Sequence, residues 1–522
     1  MQETRPVVVD LHDGFLEVAG DCPGLTKKLR YFRKEMATVN YKRQVLRRFE
    51  DLYAAKDGEP GTIVTMPGFA HKVLEHCRSS GIPYEFRDFR TPMPPPDYGR
   101  AFQGLREYQV RLVGRMLRNG GGILRGATGC GKTACASAVI RAYDPAELAS
   151  RGTPLCIFAC PDKDINAKNQ EELARFLPGR DVGIVMSGVR HRMTDDVMCC
   201  TIDSLDHIDR DRVGILIVDE MHTASSDTRH QLIQSFPKAA RWGVSATPTG
   251  RFDGADIVAE GLFGPIVAEF TYADGVKAGA LVPITVYWLD CPRPDGGLAD
   301  YGRLQTRDGK VRRGSTANTA FCQMVADILN STPRSVQTLC MLQFIEQMSR
   351  IHRRCDDTGY VHGETDAEKL TSYPTIDAIS PKERKRLYAE FRDGSRRSMI
   401  SSFVWKQGVD FPELQCVINA GGGGSDIVAK QVPGRASRAA DGKEEAFIVD
   451  FTHSWDREDP VAGTGHAGPL MSNDRARRKA YEELGFRQVT CNSILDLPFL
   501  DRSLAEKTPT AARFRRGPGF LL

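Results

Sequence analysis

The sequence predicts an α/β protein: two tandem parallel-sheet domains, a small α+β domain ahead of them and a short helical extension behind. Two long segments each alternate short apolar runs with helical patterns, the signature of parallel α/β sheets. Those runs are continuously apolar, as strands buried on both faces are. At 522 residues the chain is also too long for one core, and its length suggests about three or four units. The expected divisions are an N-terminal domain with its linker over 1–98, α/β domains over 99–288 and 289–452, and a helical extension with a basic tail over 453–522.

In chain order, VVVDLHDGFLEVAG reads as a hairpin and is followed by the very basic KKLRYFRKEMATVNYKRQVLRRF (27–49), a source of phosphate contacts or simply a solvated basic helix face. GTIVTM, a helix near 68–80 and IPYEFRDF follow, closed by the proline-rich linker TPMPPPD (91–97). The first α/β segment has candidate strands GGILRG (121–126), PLCIFAC (154–160), GILIVDE (214–220) and WGVSAT (242–247). The second has QTLCMLQ (337–343), SMISSF (398–403), QCVINAG (415–421) and AFIVDF (446–451). The polar, Gly/Arg-rich run 292–315 between them reads as a long loop. A helix over 473–486 and a basic terminal segment complete the chain.

Composition excludes little: 41% hydrophobic and 26% charged residues are ordinary for globular protein. A formal charge of +4 permits nucleic-acid binding in a local groove without arguing for it. No apolar run is long enough to cross a bilayer and MQETRPVVVD lacks the form of a signal peptide, so a cytoplasmic protein is expected. The 14 cysteines include no C-x-x-C pair and many lie in apolar runs, so reduced core thiols are expected rather than metal ligands.

Two motifs carry chemistry directly. Gly126, Ala127, Thr128, Gly129, Cys130, Gly131, Lys132 and Thr133 match G-x-x-x-x-G-K-[ST] between a strand and a helix-forming run. Backbone N–H groups there converge on phosphates, Lys132 reaches the β and γ phosphates of ATP, and Thr133 ligates Mg2+. About ninety residues on, Asp219-Glu220-Met221-His222 leaves the end of an apolar strand. Asp219 suits the magnesium ion, and Glu220 is placed to take a proton from an attacking water.

Together with Ser245-Ala246-Thr247 and the second-domain run Q-x-x-G-R-x-x-R, these motifs resemble a superfamily-two helicase of the DExH type over about residues 100–452. That resemblance implies two RecA-like domains and ATP-driven work on nucleic acid. It further implies that Gln109 reads the adenine edge and that His222, Ser245 and Thr247 couple hydrolysis to movement. Gly408 and Asp410 would meet the γ-phosphate and ribose. Gln431, Arg435 and Arg438 would meet the γ-phosphate, the two arginines sharing one side of a helical turn. Pro161, Lys163, Thr201, Ser204, Phe344, His362, Ser401 and Ser402 would contact the nucleic-acid backbone. Pro433 departs from the pattern and is expected to bend or stop a helix opened at Ser425-Asp426. Trp405 is also atypical and is expected to pack between the units. R-F-D-G at 251–254 resembles branch-migrating and type-III-restriction-like members, and the glycine-rich run and the order of N-terminal elements resemble phage UvsW-type helicases and their bacterial relatives, which implies DNA (single-stranded, duplex or branched) as partner. The expected function is an ATP-dependent DNA helicase that unwinds or branch-migrates DNA in recombination, fork remodelling or repair. An RNA helicase, the motor subunit of a restriction or defence complex, and a clamp that binds nucleotide without turnover are the alternatives.

Overall fold

The structure is a computed structural model describing residues 6–39, 42–188, 191–246, 254–373, 375–405, 411–423 and 433–511, with backbone alone for 34–39, 42–47 and Arg435 among others. The chain divides into two compact units, Met1–Thr271 and Tyr272–Leu522.

The first unit contains two sheets and a separate ribbon. Strands β1 (Val7–Leu11), β2 (Leu16–Ala19), β5 (Tyr53–Ala55), β6 (Thr62–Thr65) and β7 (Tyr84–Asp88) form a mixed sheet in the order β5-β6-β2-β1-β7. Between β2 and β5, β3 (Arg30–Val39) and β4 (Lys42–Asp51) pair with each other in an antiparallel ladder. The basic stretch is therefore a strand pair, not a helix face. Its residues 31–33 and 48–49 combine aromatic and basic side chains, and aromatic residues suit a pleated strand.

The larger sheet holds β8 (Gly122–Gly126), β9 (Leu155–Cys160), β10 (Val182–Val185), β11 (Val197–Thr201), β12 (Val213–Asp219), β13 (Ala240–Ser245) and β14 (Ile266–Phe270). All seven are parallel, in the order β10-β11-β9-β12-β13-β8-β14. Every residue of β9 and β11 is buried, which is why they read as unbroken apolar runs.

The N-terminal sheet is not a free module behind a linker. Val7, Leu16 and Phe69 share one apolar core with Ile233, Phe236, Leu262 and Phe263 of the α/β part. At that seam Glu260 accepts from His71 Nε2 at 2.8 Å and from Lys72 Nζ at 2.7 Å. Gly68 lies so close to helix Asp256–Phe263 that a Cβ there would sit 2.4 Å from the Glu260 carbonyl oxygen.

The second unit repeats the parallel plan. Strands β15 (Ile284–Asp290), β16 (Gln337–Met341), β17 (Gly359–Val361), β18 (Ser398–Ser401), β19 (Leu414–Asn419), β20 (Ala446–Thr452) and β23 (Arg487–Cys491) run in the order β17-β18-β16-β19-β20-β15-β23. β21 (Arg457–Asp459) and β22 (Thr464–Ala467) form a small antiparallel pair. Two expected boundaries shift. The division at 288/289 falls inside β15, and the extension after 452 supplies β23, which pairs parallel to β15. The loop expected over 292–315 folds into short helical turns, with Tyr301 fully buried against Trp455. Trp405 is buried beside Phe391 and Phe411 within the second unit's own core, which corrects its expected place between the units. All 14 cysteines are free and twelve are buried, as small apolar side chains should be. No helix among the described residues is long and apolar enough to cross a membrane.

Candidate active site

The site of the first unit forms where β8, β12 and β13 end on one edge of the sheet, the place where parallel α/β folds collect ligands. From Gly126 the chain turns through Ala127–Gly131 into helix Lys132–Arg141. Gly129 and Gly131 have φ of 89° and 81°, a left-handed conformation that side chains resist. The turn is held from outside. Ala127 N–H donates to the Phe270 carbonyl at 2.9 Å, and the Cys130 carbonyl accepts from Tyr108 OH at 3.0 Å and Gln109 Nε2 at 3.2 Å. Lys132 Nζ donates to the Gly126 carbonyl at 3.3 Å, so its ammonium lies over the loop.

Gln109 thus has a use that the sequence did not announce. It is buried, its Oε1 accepts from Arg106 N–H at 3.0 Å, and both ends of its amide brace the phosphate loop and its own helix. An adenine contact has to share that amide. Tyr108 stacks on Phe270 at 4.3 Å and is the brace that motif reading missed, since an aromatic residue early in a helix carries no distinctive signal.

Asp219 closes β12, and its Oδ1 accepts from Glu220 N–H at 2.9 Å. Burial, and then the neighbouring charge of Glu220, push the Asp219 carboxyl up to about 7, against the pull of Lys132 and His222. Glu220 has φ 48° and ψ 46° and is the one non-glycine residue with positive φ among the described residues. Such a conformation costs on the order of 1–3 kcal/mol and clusters at functional sites. Its Oε2 is buried without a hydrogen bond among the described residues, 3.4 Å from His222 Nδ1. His222 Nδ1 in turn lies 3.1 Å from Ser245 Oγ at the end of β13. The two motifs expected to couple are therefore joined by one hydrogen bond between buried side chains.

These residues fit magnesium. Two adjacent carboxylates, one with its proton affinity raised and one with an unsatisfied oxygen, suit a divalent cation. No cluster of three or more metal-ligating side chains occurs among the described residues, so the ion would depend on phosphate oxygens and Thr133 as well.

The other expected contacts separate by exposure. Lys163 and Phe344 are exposed, and Pro161 and Ser402 are half-buried. Thr201 and Ser204 are buried, with their hydroxyls 2.7 Å apart and bonded to each other. His362 is buried, with Nε2 3.0 Å from the Asp377 carbonyl, and Ser401 Oγ donates to the Ser402 carbonyl at 2.7 Å. The side chains of these four bond within their own loops.

In the second unit a helix runs over Pro433–Ala436. Proline stands in its first turn, where its missing N–H costs nothing. Arg438 lies beyond the helix in a β-bridge with Leu281, so Arg435 and Arg438 do not share one helical turn. Burial and the charge of Arg438 hold the Lys443 ammonium down to about 8 while it donates to the Leu414 carbonyl at 2.6 Å. Thr247, Gly408, Asp410, Gln431 and the side chain of Arg435 lie outside the described residues.

A strand-ending phosphate loop, paired acids at the end of a strand one place removed in the same sheet and two parallel sheets in tandem define a nucleotide-binding α/β protein of the RecA-like class. Residues 103–250 match the family described as type III restriction enzyme, res subunit, and residues 320–440 match the helicase conserved C-terminal domain. Over both matched segments the chain resembles superfamily-two helicases. It is 24% identical over 367 residues to the DNA 3'-5' helicase Rad25 of Haloarcula marismortui, covering 68% of this chain and 54% of that protein. It is 26% identical over 379 residues to the DNA 3'-5' translocase XPB2 of Sulfurisphaera tokodaii, covering 66% of this chain and 81% of that protein. The chain thus spans about half the length of the haloarchaeal relative. Among solved structures, the helicase MrfA bound to DNA is 14% identical, with 77% of this chain and 52% of that chain covered at a TM-score of 0.51. The crystal structure of T4 UvsW is also 14% identical, covering 94% of this chain and 99% of that one at a TM-score of 0.37.

Proposed function

We propose that the protein is an ATP-dependent DNA translocase that unwinds or branch-migrates duplexes. The observation that carries this reading is the chain of groups from Glu220 through His222 to Ser245, set beside a braced phosphate loop. A strained, incompletely bonded carboxylate linked to a second motif is what a hydrolytic motor needs and what a passive clamp does not. The loop amides and Lys132 hold the phosphates of ATP. Thr133 and Asp219 hold the magnesium ion, which supplies charge neutralisation when bound. Glu220 accepts a proton from the attacking water, and a change at Glu220 reaches Ser245 through one imidazole. The two archaeal relatives, a DNA 3'-5' helicase and a DNA 3'-5' translocase, support DNA as substrate and 3'-to-5' movement. The first family match supports a second reading, the motor subunit of a restriction complex.

ATPase rates of the full chain with single-stranded DNA, duplex, fork, four-way junction and RNA test this. DNA-stimulated turnover that Lys132→Ala and Glu220→Gln abolish is the expected result. Stimulation by RNA alone, or full turnover in either variant, would overturn it.

A further inference from the structure

The β3–β4 ribbon serves no purpose in the nucleotide site, yet it concentrates the protein's charge. Residues 27–51 hold nine basic and three acidic side chains, a net of +6, while the whole chain comes to +4. The ribbon is a sheet of its own, with ten paired positions in register from Arg30↔Asp51 to Val39↔Lys42 and hence about 33 Å long. Two-stranded ribbons are marginal alone, so its root must be fixed by packing. Leu25 and Leu29 are buried in the first unit's core, and Leu52 N–H donates to the Leu29 carbonyl at 2.9 Å. Arg30 Nη2 donates to Asp51 Oδ2 at 3.0 Å.

Just above that root, Phe32 and Phe49 face each other across the ladder with ring centroids 3.9 Å apart. They are 46% and 54% exposed, which is costly for a phenylalanine pair without a partner. Arg30 lies over the Phe49 ring at 5.1 Å, and Lys27 and Lys28 are exposed in the short helix Leu25–Lys28 that leads into the root. The same root touches the motor. Gly254, with φ of 76°, follows the strand that ends in Ser245, and a Cβ there would lie 2.8 Å from the Phe32 carbonyl oxygen.

We propose that the β3–β4 ribbon is a single-strand platform on which an unpaired base stacks against Phe32 and Phe49 while Arg30, Lys27 and Lys28 hold the flanking phosphates. Charge complementarity selects nucleic acid over an apolar peptide, since exposed rings with Arg30 over one of them, on a stretch of net positive charge, fit a base with its phosphates. This deepens, and rests on, the reading of the chain as a nucleic-acid motor. The contact at Gly254 places the platform beside the segment that continues from the Ser245 motif, so the stacked base sits next to a part that hydrolysis would move.

The test uses the full chain without nucleotide, a forked duplex with oligo-dT tails carrying 2-aminopurine at the first unpaired position, a blunt duplex, and the same fork made of RNA. Phe32→Ala/Phe49→Ala should weaken fork binding about tenfold, the loss of roughly one stacked base. It should also remove the 2-aminopurine quench and leave blunt-duplex binding and the melting temperature unchanged. Phe32→Tyr/Phe49→Tyr should bind as wild type does. A greater loss on the RNA fork assigns the tail to RNA and upholds the platform. Fork binding unchanged in the alanine pair, or a change in self-association instead, overturns the platform alone. A wild-type chain that binds none of these probes overturns the motor reading with it.

Discussion

Each unit buries a group of acids on the edge of its parallel sheet, and the two groups are treated oppositely. In the first unit Asp219 is pushed up to about 7 and Glu220 sits on left-handed backbone with one carboxylate oxygen unbonded among the described residues. In the second, Asp450 accepts from Arg477 Nε at 3.0 Å, Asn419 Nδ2 at 3.0 Å and Tyr481 OH at 2.8 Å. Asp474 pairs with His453 Nδ1 at 3.1 Å and Arg477 Nη2 at 2.9 Å. Arg477 Nη1 and Asn473 Nδ2 reach the carbonyls of Gly423 and Gly422 at 3.2 and 3.1 Å, anchoring the glycine run that leads towards Arg435. Acids with several hydrogen-bond partners make a structural cluster; a strained acid with an oxygen left unbonded makes a reactive one.

Swapping these treatments should separate activity from stability. Removing the Glu220 carboxylate has the largest effect: Glu220→Gln should lower DNA-stimulated kcat by about 100-fold or more, with no loss in urea stability. Arg477→Ala should do the reverse. It strands Asp450 and Asp474, and urea unfolding of the second unit should lose about 3–5 kcal/mol. Gly68→Ala, whose Cβ meets the backbone of Glu260 and Gly261, should cost about 1–3 kcal/mol of first-unit stability and leave the second unit's transition in place.

The smallest effect is in acid. Burial raises the Asp474 carboxyl, but His453 and Arg477 outweigh it and hold it below the usual carboxylate range. A depressed folded value gives stability that is present above the unfolded value, near 3.8, and is lost as pH falls through the folded one. Asp474→Asn should therefore lower stability at neutral pH and flatten the fall below about pH 4 in a urea–pH series.

Much of the fold was legible because parallel strands buried on both faces must be apolar throughout, as β9 and β12 are. The phosphate loop and the acids of 219–220 were legible because phosphate and metal chemistry needs contiguous residues at set spacing. The extension was harder to read: Asp474, Arg477 and Tyr481 recur at helical spacing on a polar helix, and that spacing does not show that they bury Asp450. The burial of Thr201 and His362 was illegible for a related reason: a motif names a residue but not its exposure, and both side chains turn inward.

Local chemistry therefore set the two sheets, the phosphate loop and the acid pair, since each depends on residues near one another in the chain. Packing between distant segments set the rest: Gln109 under the loop at Cys130, β23 at the edge of the second sheet, and the N-terminal sheet fastened to the motor by His71 and Glu260, 189 positions apart. Burial and pairing of that kind come from which surfaces meet, and no single stretch of sequence records the surface it will face.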